Sequence, residues 1–171
     1  MIITALQKLY TQVAGQPAEN IIELPSSGSN RRYFRLTGKM NLVGVSGTSQ
    51  EENKAFLYMA AHFREKGIPV PEVYAASEDS LFYLQEDLGD TLLFDTIEKG
   101  RKTCVFSDEE RSLLRQTIAA LPDIQFRCAE DFDFDQCYPQ PTFNERSILW
   151  DLNYFKYCFL KSTGLDFQEN I

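Results

Sequence analysis

The chain lacks the side chains from which metal centres and disulfide frameworks are usually built. It has one histidine, His62, and four cysteines, and no two cysteines stand in a C-x-x-C pair. That pattern argues against a zinc site and favours free thiols, as in a reducing compartment. The sequence also has no apolar run near the ~20 residues that span a bilayer, and its N-terminus lacks the basic start and cleavage site of a secretory signal. We therefore expect a cytoplasmic protein that makes no contact with a membrane.

Positive charge is also scarce. Lysine and arginine together number 17 against 25 aspartates and glutamates, which gives a formal net charge of −8. This balance argues against a protein that holds nucleic acid on a broad basic face, because such binding depends on neutralising many phosphates. Any phosphate site has to be local. The 171 residues and the hydrophobic content of 43% fit one ordinary domain, or a small lobe followed by part of another.

The most informative segment is a run of small polar residues that leads directly into arginine-rich sequence. Residues 26–30 read Ser-Ser-Gly-Ser-Asn, and Arg31, Arg32 and Arg35 follow. Gly28 allows close approach of the backbone, hydroxyl and amide groups can turn towards phosphate oxygens, and arginine supplies planar, bidentate charge. The segment therefore predicts either an anion-binding turn or an ordinary hairpin turn of similar composition.

Alternating and apolar segments predict five strands and one long helix in the first half of the chain. The strands are expected at residues 21–24, 32–36, 41–45, 73–76 and 81–86, and the helix at 48–66. Three strands, a helix and two further strands suit an antiparallel sheet with a helix packed on one face. We therefore predict an α+β fold, preceded by a short amphipathic helix over residues 1–10.

Helical signals dominate after the segment Gln85-Glu86-Asp87-Leu88-Gly89-Asp90. A short helix is expected over residues 92–99, and a capping box at Ser107 and Glu110 begins a second helix. A similar signal at residues 142–145 begins a third helix, which ends near Gly164. We predict a first lobe over residues 1–88 and the helical start of a second lobe over residues 89–171.

Three motifs occur in a fixed order with the expected elements between them. They are Gly28-Ser29-Asn30-Arg31-Arg32-Tyr33-Phe34-Arg35, Gly67-Ile68-Pro69-Val70-Pro71-Glu72-Val73 and Glu86-Asp87-Leu88-Gly89-Asp90. Together they resemble the aminoglycoside phosphotransferase and choline kinase superfamily, and within it the bacterial anomeric amino-sugar kinases, which act on N-acetylmuramate and N-acetylglucosamine. The resemblance covers residues 20–100 and extends only loosely beyond them. It implies a kinase-like N-terminal lobe.

The resemblance also implies a function and a set of binding residues. The function is that of an ATP-dependent small-molecule phosphotransferase, in which Mg²⁺ bridges the phosphates and a sugar is the acceptor. The loop over the ATP phosphates is assigned to Ser27, Gly28, Ser29 and Asn30. The hinge whose backbone reads the adenine edge is assigned to Gln85, Glu86, Asp87 and Leu88.

One expected residue is missing from the third strand. Protein-kinase-like enzymes carry a lysine there that holds the phosphates and pairs with a glutamate of the next helix. Here the strand reads Leu-Val-Gly-Val-Ser over residues 42–46, while Glu52 offers the acidic partner.

An arginine of the second strand is expected to replace this lysine. The candidates are Arg31, Arg32 and Arg35, of which we assign Arg32 and Arg35 to the nucleotide site together with Glu52. Period-two alternation puts Arg31 and Arg35 on one face of the strand and Arg32 on the other. The alternative is that these arginines are solvated or pair with acidic neighbours.

The catalytic part of the resemblance fails. Phosphoryl transfer in this superfamily needs an aspartate that is followed five positions later by a metal-binding asparagine. No aspartate of this sequence has one. We expect a chain cut before the catalytic loop, which binds ATP but is inactive without the remainder of the C-terminal lobe. The alternative is a non-catalytic adaptor or pseudokinase that binds a protein partner, or a second copy of itself, through exposed helix faces around Trp150, Tyr154, Phe155 and Phe159.

The run Asp-Phe-Asp-Phe-Asp over residues 131–135 would place alternate carboxylates on one face, as a divalent-cation site does. In the family the metal-binding aspartate follows the catalytic loop, and this run comes before any place for one. We therefore interpret it as a solvated acidic connector whose two phenylalanines dock on the helices. His62 lies within the long predicted helix and is expected to be half-buried there.

Overall fold

The chain folds as a five-stranded antiparallel sheet followed by helices, and the computed structural model describes its residues 1–25, 28 and 30–165. The first half contains α1 (Ile2–Ala14), β1 (Asn20–Glu23), β2 (Arg32–Thr37), β3 (Leu42–Ser46), α2 (Gln50–Glu65), β4 (Val73–Ala76) and β5 (Phe82–Glu86). The second half contains α3 (Leu93–Thr96), α4 (Glu98–Thr103), α5 (Asp108–Gln125), two short 3₁₀ turns, α6 (Glu145–Phe155), a π-helical turn (Lys156–Leu160) and α7 (Lys161–Thr163).

The strands are arranged in the order β1-β2-β3-β5-β4, and every neighbouring pair is antiparallel. β3 lies at the centre, and all five of its residues are buried. α2 follows β3 and leads to β4 at the edge of the sheet. The prediction of an α+β fold with three strands, a long helix and two further strands is confirmed.

One face of the sheet is covered by α1. Leu6, Leu9, Tyr10 and Ala14 of this helix form a buried cluster with Phe34, Leu36, Leu42 and Leu84. The helix packs closely because β3 has a glycine at the contact: a Cβ at Gly44 would lie 2.7 Å from Leu36 Cδ1 and 3.0 Å from Leu6 Cδ2. Tyr10 adds polar bonds at the edge of the cluster, since its hydroxyl donates to the Met40 carbonyl at 2.7 Å and accepts from the Met40 N–H at 3.0 Å.

The opposite face of the sheet is covered in part by α2. Val43, Val45 and Tyr83 are buried there, and Phe56 and Leu57 of α2 pack on them. The rings of Phe56 and Tyr83 stack with their centroids 5.0 Å apart. We call this surface the α2 face, and the surface under α1 the α1 face.

The acidic connector attaches the helical half to α2. Phe132 contacts the rings of Tyr58 and His62, with centroids 5.1 Å away in each case. The Asp133 N–H donates to the Tyr58 hydroxyl at 2.7 Å. Phe134 packs on Phe132 with ring centroids 5.0 Å apart and stays half-exposed, so it docks less deeply than Phe132.

His62 is more deeply placed than the sequence indicated. It is buried rather than half-buried, and its Nε2 lies 2.9 Å from the Cys128 carbonyl oxygen. The helix face that carries it is covered by residues 128–132, which the helical spacing of α2 alone does not reveal.

Several helix boundaries differ from the sequence prediction. The helix expected over residues 92–99 is two helices, α3 and α4, that meet at Ile97. The third helical signal begins at Asn144 rather than Thr142, because the Asn144 side chain accepts the Ser147 N–H. The capping box of Ser107 and Glu110 is confirmed. Within the described part of the chain, no helix is both long and apolar enough to cross a membrane.

Candidate functional site

The α2 face carries polar groups at both ends of its strands. Strand alternation directs Tyr33 and Arg35 of β2 to the same face as Val43 of β3 and Gln85 of β5. The turn between β1 and β2 lies at one end of the sheet, and the segment after β5 lies at the other. We call these the turn end and the hinge end.

Arg31 occupies the turn end, immediately before β2. Its Nη2 lies 3.1 Å from Glu52 Oε1, and only 15% of its side chain is exposed. Nε donates to Asn53 Oδ1 at 3.2 Å, and Nη2 also approaches the Glu52 carbonyl at 3.4 Å. The guanidinium lies over the Phe56 ring, 5.4 Å from its centroid. The first two turns of α2 therefore hold Arg31 by charge, by hydrogen bonds and by an aromatic face.

Tyr83 borders this arginine from β5. Burial raises the pKa of the Tyr83 hydroxyl above its ordinary value, and the positive charge of Arg31 acts in the opposite direction. The environment of Arg31 is consequently desolvated on one side, where a charge interacts more strongly than it does in water.

Asn53 is a polar residue on the buried side of α2. Only 1% of it is exposed. Its Nδ2 donates to the Ser80 carbonyl at 2.8 Å, while its Oδ1 accepts from Arg31. A Cβ on Gly47 would overlap the Asn53 amide, so the glycine makes room for it. Asn53 thus ties α2 to the β4–β5 turn and fixes the direction of the Arg31 guanidinium.

Arg35 occupies the hinge end and is bound by two carboxylates. Its Nε and Nη2 donate to Asp87 at 2.6 and 3.1 Å, and its Nη1 and Nη2 donate to Asp90 at 3.0 and 2.8 Å. These bonds lower the pKa of both aspartates, while the pKa of Arg35 is raised by its bonds to Asp90 and Asp87. One positive and two negative charges leave this end of the face with a local charge of −1.

Arg32 lies on the α1 face, where it forms a bidentate pair with Glu23 through two bonds of 2.7 Å. Half of its side chain is exposed. The pair raises the pKa of Arg32 and lowers that of Glu23, in each case through the side-chain hydrogen bond. Arg32 therefore lies on the opposite face of the sheet from Arg31 and Arg35, which confirms the prediction from strand alternation.

The predicted nucleotide residues are only partly brought together. Ser27 and Ser29 lie outside the described residues. Gly28 and Asn30 are exposed, and a Cβ on Gly28 would meet no atom within 4 Å. Glu52 lies at the turn end with Arg31, whereas Arg35 lies at the hinge end, about 13 Å further along β2 at 3.3 Å per residue. The arginine that pairs with Glu52 is Arg31, and not Arg32 or Arg35.

The predicted hinge residues lie at the end of β5. The Glu86 N–H is already bonded to the Glu72 carbonyl at 2.8 Å, so it is not a free donor as the hinge prediction required. Within the described residues, the backbone groups of Asp87 and Leu88 make no backbone–backbone hydrogen bond. Gln85 is half-buried on the α2 face, and Leu88 is exposed. Of the four predicted hinge residues, Asp87 and Leu88 therefore fit the requirement for unpaired backbone groups, and the hinge itself stays a prediction.

Sequence reasoning missed the role of Asn53. The available signal was its position three residues before Phe56, on the side of the helix that carries the apolar side chains. A polar residue at such a position needs a buried partner.

Two comparisons bear on the identity of the chain. Neither the models of known protein families nor the curated proteins include a match to it. Among the described residues, no three histidine, cysteine, aspartate or glutamate side chains converge as a metal site.

Proposed function

We propose that this chain is the ATP-binding part of a small-molecule phosphotransferase that acts on a sugar or an amino sugar. One observation supports the proposal. A single face of the sheet has the paired cation Arg31 beside the β1–β2 turn at one end, and at the other end it has Asp87 and Leu88, whose backbone groups make no backbone–backbone hydrogen bond within the described residues. The sheet order and the position of α2 are consistent with the kinase-like lobe that the sequence motifs resemble.

The dimensions of the α2 face suit an extended nucleoside triphosphate. Leu36 of β2 is level with Glu86 through the pairing of both residues with Leu42. Arg31 is five residues before Leu36, which corresponds to about 17 Å of strand. A nucleotide laid along the face would thus reach from the hinge end to the turn end.

The charges at the two ends of the α2 face favour one orientation of the nucleotide along it. The hinge end has a local charge of −1 and suits an uncharged base, whose edge would be read by the backbone of Asp87 and Leu88. The planar guanidinium of Arg35 stands beside that segment, and arginine stacks well on flat aromatic groups. The turn end holds Arg31 and lies next to Gly28, and it suits the phosphates.

The metal and the acceptor are assigned to no residue of this chain. Mg²⁺ fits as an ion carried by the nucleotide phosphates, where it would offset their negative charge. The sequence has no aspartate followed five positions later by asparagine. We therefore propose that this chain binds ATP but does not by itself transfer a phosphoryl group.

Thermal unfolding with and without Mg·ATP tests the proposal. A ligand that binds only the folded state stabilises it by RT ln(1 + [L]/Kd), about 2.7 kcal/mol at a hundredfold excess over Kd. We expect the melting temperature to rise progressively with Mg·ATP concentration. Mg²⁺ with inorganic triphosphate serves as the control for anion binding alone. An unchanged melting temperature at millimolar Mg·ATP would refute the proposal.

A second candidate function is supported by the exposed helical half. Trp150, Tyr154, Phe155 and Phe159 are each at least half exposed, and they form two stacked pairs with centroids 5.5 and 5.3 Å apart. Apolar patches of this kind promote association with proteins. A kinase-like adaptor would show dimerisation or partner binding by light scattering and no stabilisation by Mg·ATP, whereas an ATP-binding lobe would show the stabilisation.

A further inference from the structure

We infer that Arg31 binds the β- and γ-phosphates of the nucleotide and takes the place of the lysine that the third strand lacks. This inference rests on the proposed function, and it names the residue that discriminates ATP from adenosine.

The three arginines near the turn differ in their carboxylate partners and in where they lie on the sheet. Arg35 is shared between two carboxylates at the hinge end. Arg32 is bound to Glu23 on the α1 face. Arg31 pairs with Glu52 and lies on the α2 face at the turn end. Its position therefore selects Arg31 for an anionic ligand at this end of the α2 face.

The third strand supplies no competing cation. Its residues on the α2 face are Val43 and Val45, and Val45 is level with Tyr33 and Tyr83. Arg31 precedes Tyr33 by two residues and thus shares its side of the strand. The guanidinium reaches the first turns of α2 from β2, and it pairs there with the helix glutamate that a third-strand lysine would have used.

Arg31 is also held in a defined orientation before any ligand binds. Glu52, Asn53 and Phe56 belong to the first two turns of α2, and all three contact the Arg31 guanidinium. Asn53 is fixed in turn by its bond to the Ser80 carbonyl. Preorganised donors lose little side-chain entropy when they bind an anion, and arginine binds phosphate in a bidentate manner.

The test compares the affinity of the chain for adenosine, AMP, ADP and Mg·ATP by isothermal titration calorimetry. The quantity of interest is the ratio of the adenosine Kd to the ATP Kd. We expect this ratio to fall at least tenfold in Arg31→Met, while the Kd for adenosine itself stays within about twofold of the wild type, because one charge-assisted hydrogen bond is worth about tenfold or more in affinity.

Two further variants complete the design. Arg32→Met removes a neighbouring arginine from the α1 face and is expected to leave the ratio unchanged. Arg31→Gln keeps a polar side chain beside Asn53 and is expected to show the same loss as Arg31→Met, so it serves if Arg31→Met does not fold. Far-ultraviolet circular dichroism confirms the fold of each variant before titration.

The outcomes separate this inference from the proposed function. If the wild type binds none of the four ligands, the proposed function and the inference both fail. If the wild type prefers ATP and the Arg31 variants keep the same preference, the inference is overturned and the proposed function stands. Equal losses for Arg31→Met and Arg32→Met would also overturn it, since they would indicate general electrostatic attraction.

Discussion

Replacement of Asn53 by alanine should destabilise the protein by about 2–3 kcal/mol. The substitution removes the bond to the Ser80 carbonyl at 2.8 Å and the bond from Arg31 at 3.2 Å. A neutral hydrogen bond contributes about 0.5–1.5 kcal/mol and one to a charged group about 1.5–3 kcal/mol. Alanine recovers about 0.6 kcal/mol because it is the better helix former. The balance is a clear loss, because the residue is 1% exposed and water cannot replace its partners.

Urea unfolding followed by circular dichroism measures this loss. The matched control is Asn153→Ala on the exposed surface of α6, where the same change of side chain should stabilise slightly or have no effect. A loss below about 1 kcal/mol for Asn53→Ala would refute the reasoning, since it would mean that the buried amide contributes no more than an ordinary surface asparagine.

Two further predictions concern other hydrogen bonds and ion pairs. Tyr10→Phe removes both bonds to Met40 from a fully buried site and should lower the free energy of unfolding, measured in urea, by about 1–3 kcal/mol. The control Tyr74→Phe, at an exposed site, should lower it by less than about 0.5 kcal/mol. Equal effects of the two substitutions would contradict the role given to the Tyr10 hydroxyl. Arg35→Met should lower the melting temperature most at neutral pH. Arg35 lowers the pKa of Asp87 in the folded protein, so its stabilisation is present above the ordinary carboxyl pKa and is lost as the pH falls through the folded pKa. The gap between wild type and variant should therefore stay constant from pH 7 to about pH 5 and narrow below that, and a gap independent of pH down to about pH 3 would contradict this.

The sequence patterns predicted the elements of the sheet well because each signal was local. The five strands and α2 were found from alternation and helical spacing, with boundaries that agree to within two residues. The start of α5 was found because the Ser107 hydroxyl and the Glu110 carboxylate lie within one turn of each other. Signals of this kind need no knowledge of the rest of the fold.

The break between α3 and α4 was not predicted in this way, because α4 is held by residues that follow the stretch expected to form one helix. Glu110 Oε1 accepts the Gly100 N–H at 2.9 Å while the same side chain completes the capping box of α5. A Cβ on Gly100 would overlap the Phe106 ring. Contacts from the following loop and helix, rather than the propensity of residues 92–99, therefore determine where α4 lies.

The candidate site was likewise predictable only where the signal is local in sequence. Alternation along β2 predicted correctly that Arg32 would be separated from Arg31 and Arg35. It could not predict which arginine meets Glu52, because that depends on how α2 lies against the sheet. The carboxylate partners of Arg35 come from residues more than fifty positions away, and no local pattern connects them.

The docking of Phe132 has a mechanical consequence. α2 is a rod of 16 residues, about 24 Å long at 1.5 Å per residue. Its first turns carry Glu52 and Asn53, and its last turns carry Tyr58 and His62, which receive the connector to the helical half. A rotation of this rod would displace the guanidinium at one end and the docked ring at the other in a single movement. The contacts that hold Arg31 and the position of the docked connector therefore change together when α2 rotates.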